Sequence, residues 1–351
     1  MTTPAAELEG VVIGYGGEPV VSGLALTVEA DEMVVLLGPS GSGKSTILGA
    51  IAGFVPIRSG VIRIGGRVVA GDGRHEPPER RDVGVVFQGS ALWPHLSALD
   101  TVAYPLRRRG VAAETARREA GAILARLGIE RLADRRPAEM SGGEQQRVGL
   151  GRALARAARL HLFDEPTAHL DGPLRDRLLG EIAVTRRESG AAGMYATHDT
   201  AEALAIADRV LLLRDGAVVQ AGTPTDVYEA PVDAWAARLT GPASEIEARI
   251  VSAAGDLVEL EVAGVRIRAR VDGCGSPGEA ADDPVRLLVR PDWAAIGGPL
   301  PGRVTASRFR GSHTDVDLGT PAGLITIRQP GPPSVAVGDL TGWSLRRGRS
   351  I

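Results

Sequence analysis

Over roughly the first 240 residues, continuous apolar runs alternate with stretches whose apolar positions recur every three or four residues. From about Val11 to Gly38 the pattern predicts short strands separated by turn residues. The run MVVLLG, residues 33–38, ends in glycine and reads as a buried strand of a parallel sheet. The segment STILGAIAG has helical spacing and stops at Gly53. Strand, glycine-rich loop and helix therefore follow one another in order. Residues 97–140 change texture, and Ala120, Ile123, Leu124 and Leu127 in AAETARREAGAILARLGI recur at helical spacing, which predicts a helical insertion. Beyond it come a helix from about Gly143 to Ala158, the strand RLHLFDE, a long helix, the strand MYATH, another helix and the strand VLLLRDG. This alternation predicts a mostly parallel sheet covered by helices on both sides.

Past Gly241-Pro242 the period shortens to two. IEARIVSA, LVELEV, VRIRARV, VRLLVR, RVTASRF and LITIRQ are short alternating strands separated by turns such as DGCGSPGEAADD. They predict a small all-β domain of barrel type. The expected organisation is an α/β domain over residues 1–240, with a helical subdomain at about 89–150, and a β-barrel domain over 241–351.

Composition narrows the function. A chain of 351 residues with 44% hydrophobic and 24% charged residues supports sizeable cores. The net charge of −3 and only 3% aromatic residues argue against nucleic acid as the main partner. Cys274 is the sole cysteine, so neither an internal disulfide nor a thiolate cluster forms, and a reducing compartment fits. The N-terminal MTTPAAELEG lacks a leader pattern and no stretch approaches a spanning helix, which predicts a cytosolic chain whose membrane role comes through a partner. Of the 40 basic residues Lys44 is the only lysine, and it falls inside the strongest motif.

That motif is Gly38-Pro39-Ser40-Gly41-Ser42-Gly43-Lys44-Ser45, which fits G-x-x-x-x-G-K-[ST] between a predicted strand and helix. Its glycines let backbone N–H groups close round phosphate oxygens at a helix N-terminus. Lys44 offers a compact ammonium to the β- and γ-phosphates, and the Ser45 hydroxyl is placed to ligate Mg²⁺. Asp164 ends the apolar strand of RLHLFDE, where a carboxylate can hold the metal, and Glu165 beside it can polarise an attacking water. Ser141-Gly142-Gly143 opens a helix 97 residues after Lys44 and forms a second anion-binding terminus.

Together these motifs resemble the ATP-binding-cassette ATPases, over about residues 8–240. GPSGSGKST, through Thr46, is similar to Walker A, MSGGEQQR to the family signature and LHLFDEP to Walker B with its catalytic glutamate. The resemblance extends to Gln88 in VGVVFQ as the Q-loop glutamine, Ala168 to Asp171 as the D-loop, His198 in YATHD as the switch histidine and Tyr15 as an adenine-stacking aromatic. It implies ATP and Mg²⁺ as ligands, with Ser45, Gln88 and Asp164 toward the metal. It also implies a head-to-tail homodimer in which Ser141, Gly142, Gly143 and the D-loop Asp171 serve the nucleotide at the shared interface. Glu165, His198 and Gln88 would then carry the hydrolytic chemistry.

Departures from the family pattern are Met140 before the signature, Glu144 within it, His161 in the Walker B strand and His169 in the D-loop. Gly149 and Gly151 sit inside a helix, where each costs about 1 kcal/mol against alanine unless close packing requires it.

The separate cassette and the stretch PPERRDVGVVFQGSALWPHLSALDTVAYPL resemble ATPase subunits of binding-protein-dependent importers. This implies two integral-membrane permease subunits, an extracytoplasmic solute-binding protein and a peripheral place on the cytoplasmic face of the inner membrane. Trp93, Pro94, His95 and Leu96 would lie near the coupling-helix socket. Length and the ALWPHLS region favour ferric iron as cargo over polyamine, phosphonate, sulfate or sugar. A soluble regulatory or nucleic-acid-associated ATPase is the alternative class. The C-terminal strands resemble the accessory barrel of these importers, and Arg290, Arg308, Arg310 and His313 are candidates there for a small-anion site.

Overall fold

A computed structural model describes residues 3–87, 89, 91–168, 170–254, 257–273 and 284–351. They form two compact units, Met1–Pro224 and Thr225–Ile351. The first opens with β1 (Ala6–Ile13), β2 (Val21–Val28), β3 (Met33–Leu37), α1 (Lys44–Ala52), β4 (Ile57–Ile64), β5 (Arg67–Gly71), β6 (Arg74–His75) and β7 (Val83–Val86). Three helices follow, α2 (Ala98–Arg108), α3 (Ala113–Arg126) and α4 (Gly142–Leu154). The unit then runs through β8 (Leu160–Asp164), α5 (Gly172–Ser189), β9 (Ala192–Thr197), α6 (Thr200–Ile206), β10 (Arg209–Arg214) and β11 (Ala217–Gly222).

Its main sheet has the order β11-β10-β3-β9-β8-β7, parallel throughout except for the β10–β11 pair. Every residue of β3 and β9 is buried, as a strand covered on both faces requires. An antiparallel sheet, β2-β1-β4-β5-β6, lies alongside, and α1 packs against β1, β8 and β9. Ile47 and Ile51 of α1 thereby join one core with Val11, Ile13, Val34 and Leu36, each side chain contributing about 1.5–3 kcal/mol by burial. The helix carrying the P-loop residues is thus held from both sheets. In the insertion, a methyl group on Gly151 would lie 3.1 Å from Leu127 and 3.2 Å from Val102, so close helix packing accounts for that glycine.

The second unit contains α7 (Pro224–Glu229), which starts at the division, α8 (Ala234–Thr240), β12 (Ser244–Ala254), β13 (Leu257–Val262), β14 (Val265–Asp272) and β15 (Val285–Val289). Strands β16 (Ala294–Phe309), β17 (His313–Thr320), β18 (Gly323–Pro330), β19 (Leu340–Leu345) and β20 (Arg347–Ser350) complete it. A closed barrel, β12-β13-β14-β20-β15, stands beside a four-stranded sheet, β18-β17-β16-β19, and the two share a core centred on Trp343, Leu260 and Leu287.

The division between units falls at residue 224, ahead of the boundary expected near 240. The reason is Arg290. Fully buried, it donates to Tyr228 O at 2.7 Å, Ala237 O at 2.7 Å, Gly241 O at 3.1 Å and Thr240 Oγ1 at 2.9 Å. Its guanidinium also stacks over the Tyr228 ring at 4.2 Å. Both short helices are therefore fastened to the β-rich unit.

Candidate functional site

The loop from Gly38 to Gly43 joins the buried end of β3 to the first turn of α1. Its path depends on glycine at two points. A methyl group on Gly38 would lie 2.5 Å from Leu213 O and 2.7 Å from Ser42 Oγ, and Gly43 caps α1 with φ at 100°, a region that side chains disfavour. The Lys44 side chain folds back along this loop, and its ammonium donates to Gly38 O at 2.7 Å and Pro39 O at 2.9 Å. Burial pushes the Lys44 amine below its ordinary value, while Glu165 and Asp164 pull the other way. Ser45, in the same turn as Thr46, sends its hydroxyl 2.9 Å to Asp164 Oδ1.

Asp164 is the last residue of β8, where a parallel strand delivers its carboxylate to the loop end of the sheet. Burial raises its pKa, and the neighbouring Glu165 charge adds to that. Glu165 itself adopts φ 46°, left-handed backbone that costs a non-glycine residue about 1 kcal/mol or more. Three hydrogen bonds hold it there: Glu165 N to Ala196 O at 3.0 Å, Ala168 N to Glu165 O at 3.2 Å, and Gln146 Nε2 of α4 to Glu165 O at 3.2 Å. This conformation places Glu165 Oε1 3.1 Å from His198 Nδ1, just past the end of β9. A cavity of about 370 Å³ opens at this pair and is also lined by Thr197 and Arg175.

The remaining candidates lie at element ends. Ser141 caps α4: its N–H donates to Glu144 Oε2 at 2.9 Å, while Glu144 N donates back to Ser141 Oγ at 3.4 Å. Glu144 is therefore the reciprocal half of a capping box, and the Ser141 N–H bond holds its carboxyl below the usual range. Gly142 and Gly143 form the first turn behind Ser141, and a methyl group on Gly143 would come within 3.1 Å of Leu170. Asp171 caps α5 through Leu174 N at 3.0 Å. Tyr15 is largely exposed in the β1–β2 connection, whose far end reaches the P-loop: Val21 lies 2.9 Å from where a Gly43 methyl would sit. Gln88, His169 and Cys274 lie outside the described residues.

Sequence reasoning missed the group behind the histidine. Glu202, buried in the first turn of α6, receives Thr167 Oγ1 at 2.6 Å, Thr197 Oγ1 at 2.9 Å and Tyr195 OH at 3.0 Å. It also missed Arg81, which runs beneath α1 and donates to Ala50 O at 2.6 Å and Ile51 O at 2.7 Å. The candidate anion site in the second unit is not assembled. Arg290 is spent on backbone carbonyls, and Arg308 pairs with Asp317 at 2.7 Å. Trp93 packs on Tyr104 with ring centroids 4.9 Å apart and lies under Arg152 at 5.1 Å.

A glycine-rich loop opening a helix, a strand-end aspartate and a carboxylate–histidine pair at the same end of a parallel sheet form the arrangement of a nucleotide-hydrolysing cassette. The family model described as ABC transporter matches residues 21–168. The Fe(3+) ions import ATP-binding protein FbpC of Agrobacterium fabrum is 38% identical over 325 residues, 91% of this chain and 89% of the relative. The sn-glycerol-3-phosphate import ATP-binding protein UgpC of Vibrio vulnificus is 43% identical over 237 residues, 67% of this chain and 63% of the relative. A solved dimeric cassette in a post-hydrolysis state, bound to ADP and Pi, superposes with a TM-score of 0.58 at 30% identity, over 62% of this chain and 98% of that one. The chain belongs to the ABC transporter family, as an ATPase subunit of a binding-protein-dependent importer.

Proposed function

We propose that the chain hydrolyses MgATP as a head-to-tail homodimer and drives uptake of ferric iron. Its partners are two integral-membrane permease subunits, supplied by an extracytoplasmic solute-binding protein, and its place is peripheral, on the cytoplasmic face of the inner membrane. Nucleic acid is not among the partners. The observation that carries the hydrolytic reading is the 3.1 Å pairing of Glu165 with His198 at the end of the sheet where Lys44 and Asp164 lie. The iron reading draws on the name of relatives that align along 91% of this chain.

The residues present suit Mg²⁺, since Ser45 Oγ and Asp164 Oδ1 are hard oxygen donors already 2.9 Å apart. When bound, the ion neutralises and orients the phosphate oxygens. The chain's own groups divide the rest. Backbone N–H groups of Gly41 to Thr46 cradle the phosphates, Lys44 leaves its two carbonyls to meet the β- and γ-phosphates, and Tyr15 stacks on the base. Glu165 orients and deprotonates the attacking water, and His198 contacts the γ-phosphate and steadies Glu165. Ser141, Gly142, Gly143 and Asp171 act on the nucleotide of the second copy. Gln88 belongs to the same proposal as a link between metal and permease, with the Trp93–Tyr104–Arg152 stack offering the socket for a permease helix.

Glu165→Gln tests this reading. It keeps the size of the side chain and removes its basicity, so steady-state ATP hydrolysis is expected to fall at least about 10²-fold while ATP-bound dimers accumulate. Undiminished hydrolysis would reject Glu165 as the base. A deletion strain carrying the variant is expected to lose labelled ferric-iron uptake. Retained iron uptake with lost sn-glycerol 3-phosphate uptake would instead reassign the cargo.

A further inference from the structure

Glu202 is a buried carboxylate that no step of the proposed hydrolysis uses. Its two oxygens face different elements. Oε1 receives Thr167 Oγ1 at 2.6 Å and lies 3.2 Å from Arg175 Nε, whereas Oε2 receives Thr197 Oγ1 at 2.9 Å and Tyr195 OH at 3.0 Å. Three hydroxyl donors and the Arg175 charge therefore occupy the carboxylate inside the unit. What it holds is the backbone on either side of the reacting pair. Thr167 is two residues after Glu165, and Thr197 directly precedes His198.

The same cluster reaches the turn that leads to Asp171. Arg175 donates through Nη2 to Leu170 O at 3.3 Å and through Nη1 to Asp199 Oδ2 at 3.1 Å. Asp199 in turn caps α6 by accepting Ala201 N at 2.8 Å, and its own N–H donates to Thr197 Oγ1 at 2.9 Å. Glu165, His198 and the Leu170 peptide are therefore referenced to one anchor inside the unit. A shift of about 1 Å in such a geometry is enough to cost roughly 10²-fold in rate.

We propose that Glu202 is a positioning residue for ATP hydrolysis, whose buried carboxylate sets the spacing between Glu165 and His198 through the hydroxyls of Thr167 and Thr197. The inference rests on the reading of Glu165 and His198 as the hydrolytic pair. Charge, not shape, is what matters at this position. A glutamine there keeps one acceptor oxygen, loses the charge that faces Arg175 and turns an NH₂ group toward hydroxyls that donate to the carboxylate, so one side of the anchor is released.

The test is steady-state ATPase kinetics of the full chain. Glu202→Gln is expected to lower kcat by about 10²-fold with KM for ATP unchanged, since the P-loop contacts are untouched. Thr197→Ser keeps the hydroxyl and is expected to hold near wild-type kcat, whereas Thr197→Val is expected to fall like Glu202→Gln. Wild-type kcat in a folded Glu202→Gln protein would overturn the proposal, and so would a raised KM at unchanged kcat. If Glu202→Gln does not fold, the Thr197 pair decides, and equal turnover in the two variants would overturn it. Glu165→Gln and His198→Ala assayed alongside separate the two claims. Turnover surviving in those variants would reject the hydrolytic pair itself, while their loss beside an active Glu202→Gln would reject only the anchor.

Discussion

Ser45 Oγ donates to Asp164 Oδ1 across 2.9 Å, joining the first turn of α1 to the end of β8 over 119 residues of sequence. The two side chains arrive by different routes. Ser45 is delivered by the P-loop and Asp164 by a strand of the parallel sheet, and α1 packs on β8 to fix the distance between them. Beside them Lys44 completes a polar cluster whose ammonium rests on the Gly38 and Pro39 carbonyls.

Lys44→Arg should therefore be damaging even though it conserves charge. The Lys44 ammonium is a compact donor within a backbone cradle that leaves it only 5% exposed. A planar guanidinium is wider and longer, and the loop beside it has no slack, because Gly38 already sits against Leu213 O. Turnover at saturating MgATP is expected to fall by about 10²-fold or more, in keeping with losing one preorganised charge contact to a transferring phosphoryl group. Wild-type kcat in a variant with an unchanged circular-dichroism spectrum would show that the cradle tolerates either cation.

How much of this was readable beforehand depends on where the determining contacts lie. Lys44, Ser45, Asp164 and Glu165 sit in contiguous motifs, where residue type and spacing carry the chemistry and the flanking apolar runs set the context. The strands β3, β8 and β9 were equally plain, because burial on both faces leaves a nearly continuous apolar signature, broken in β8 by His161. Glu202 was not legible, since its partners come from three separate stretches and only the fold brings Thr167, Arg175 and Thr197 to one carboxylate. Arg290 looked like an available cation and proved to be a buried clamp on α7 and α8, a distinction that depends on burial alone. Strand β20 escaped notice because its sequence, RGRS, is polar, and its pairing with β14 and β15 is set by barrel closure.

His161 predicts a pH dependence of stability. It is buried in β8 against Gly84 of β7, its Nδ1 has no partner among the described residues, and burial pushes its pKa down to about 4. In the unfolded chain the imidazole takes up a proton near pH 6.5, while the folded protein resists it to about 4, so between those values the unfolded state binds more protons. Stability is thus present above pH 6.5 and falls as the pH drops toward 4, by an amount on the order of 3 kcal/mol from this group. His161→Leu removes the titration. Denaturant unfolding at pH 7 and pH 4.5 should show a smaller acid loss for the variant than for wild type, and equal losses would remove His161 as a contributor.

Arg81 supports the phosphate site from below, and its loss should register as stability before it registers as chemistry. The side chain is 1% exposed, and burial lowers its pKa to about 10. It donates to Ile51 O at 2.7 Å and to Glu76 O at 2.8 Å, and adds a second donor at 2.6 Å to Ala50 O, which also accepts Gly53 N at 3.3 Å. Arg81→Met fills much of the volume but strands the Ile51 and Glu76 carbonyls in the core, at a cost of about 3 kcal/mol. Arg81→Lys keeps the charge and supplies a single point donor where a fork is needed, so an intermediate loss of about 1–2 kcal/mol is expected. Thermal unfolding reads this out in the transition that added ATP shifts upward, because ligand linkage marks the unit holding the P-loop. The expected order of midpoints is wild type, then Arg81→Lys, then Arg81→Met. Midpoints that coincide for all three proteins would mean that the carbonyls of α1 find other donors and that Arg81 is not what holds the helix end.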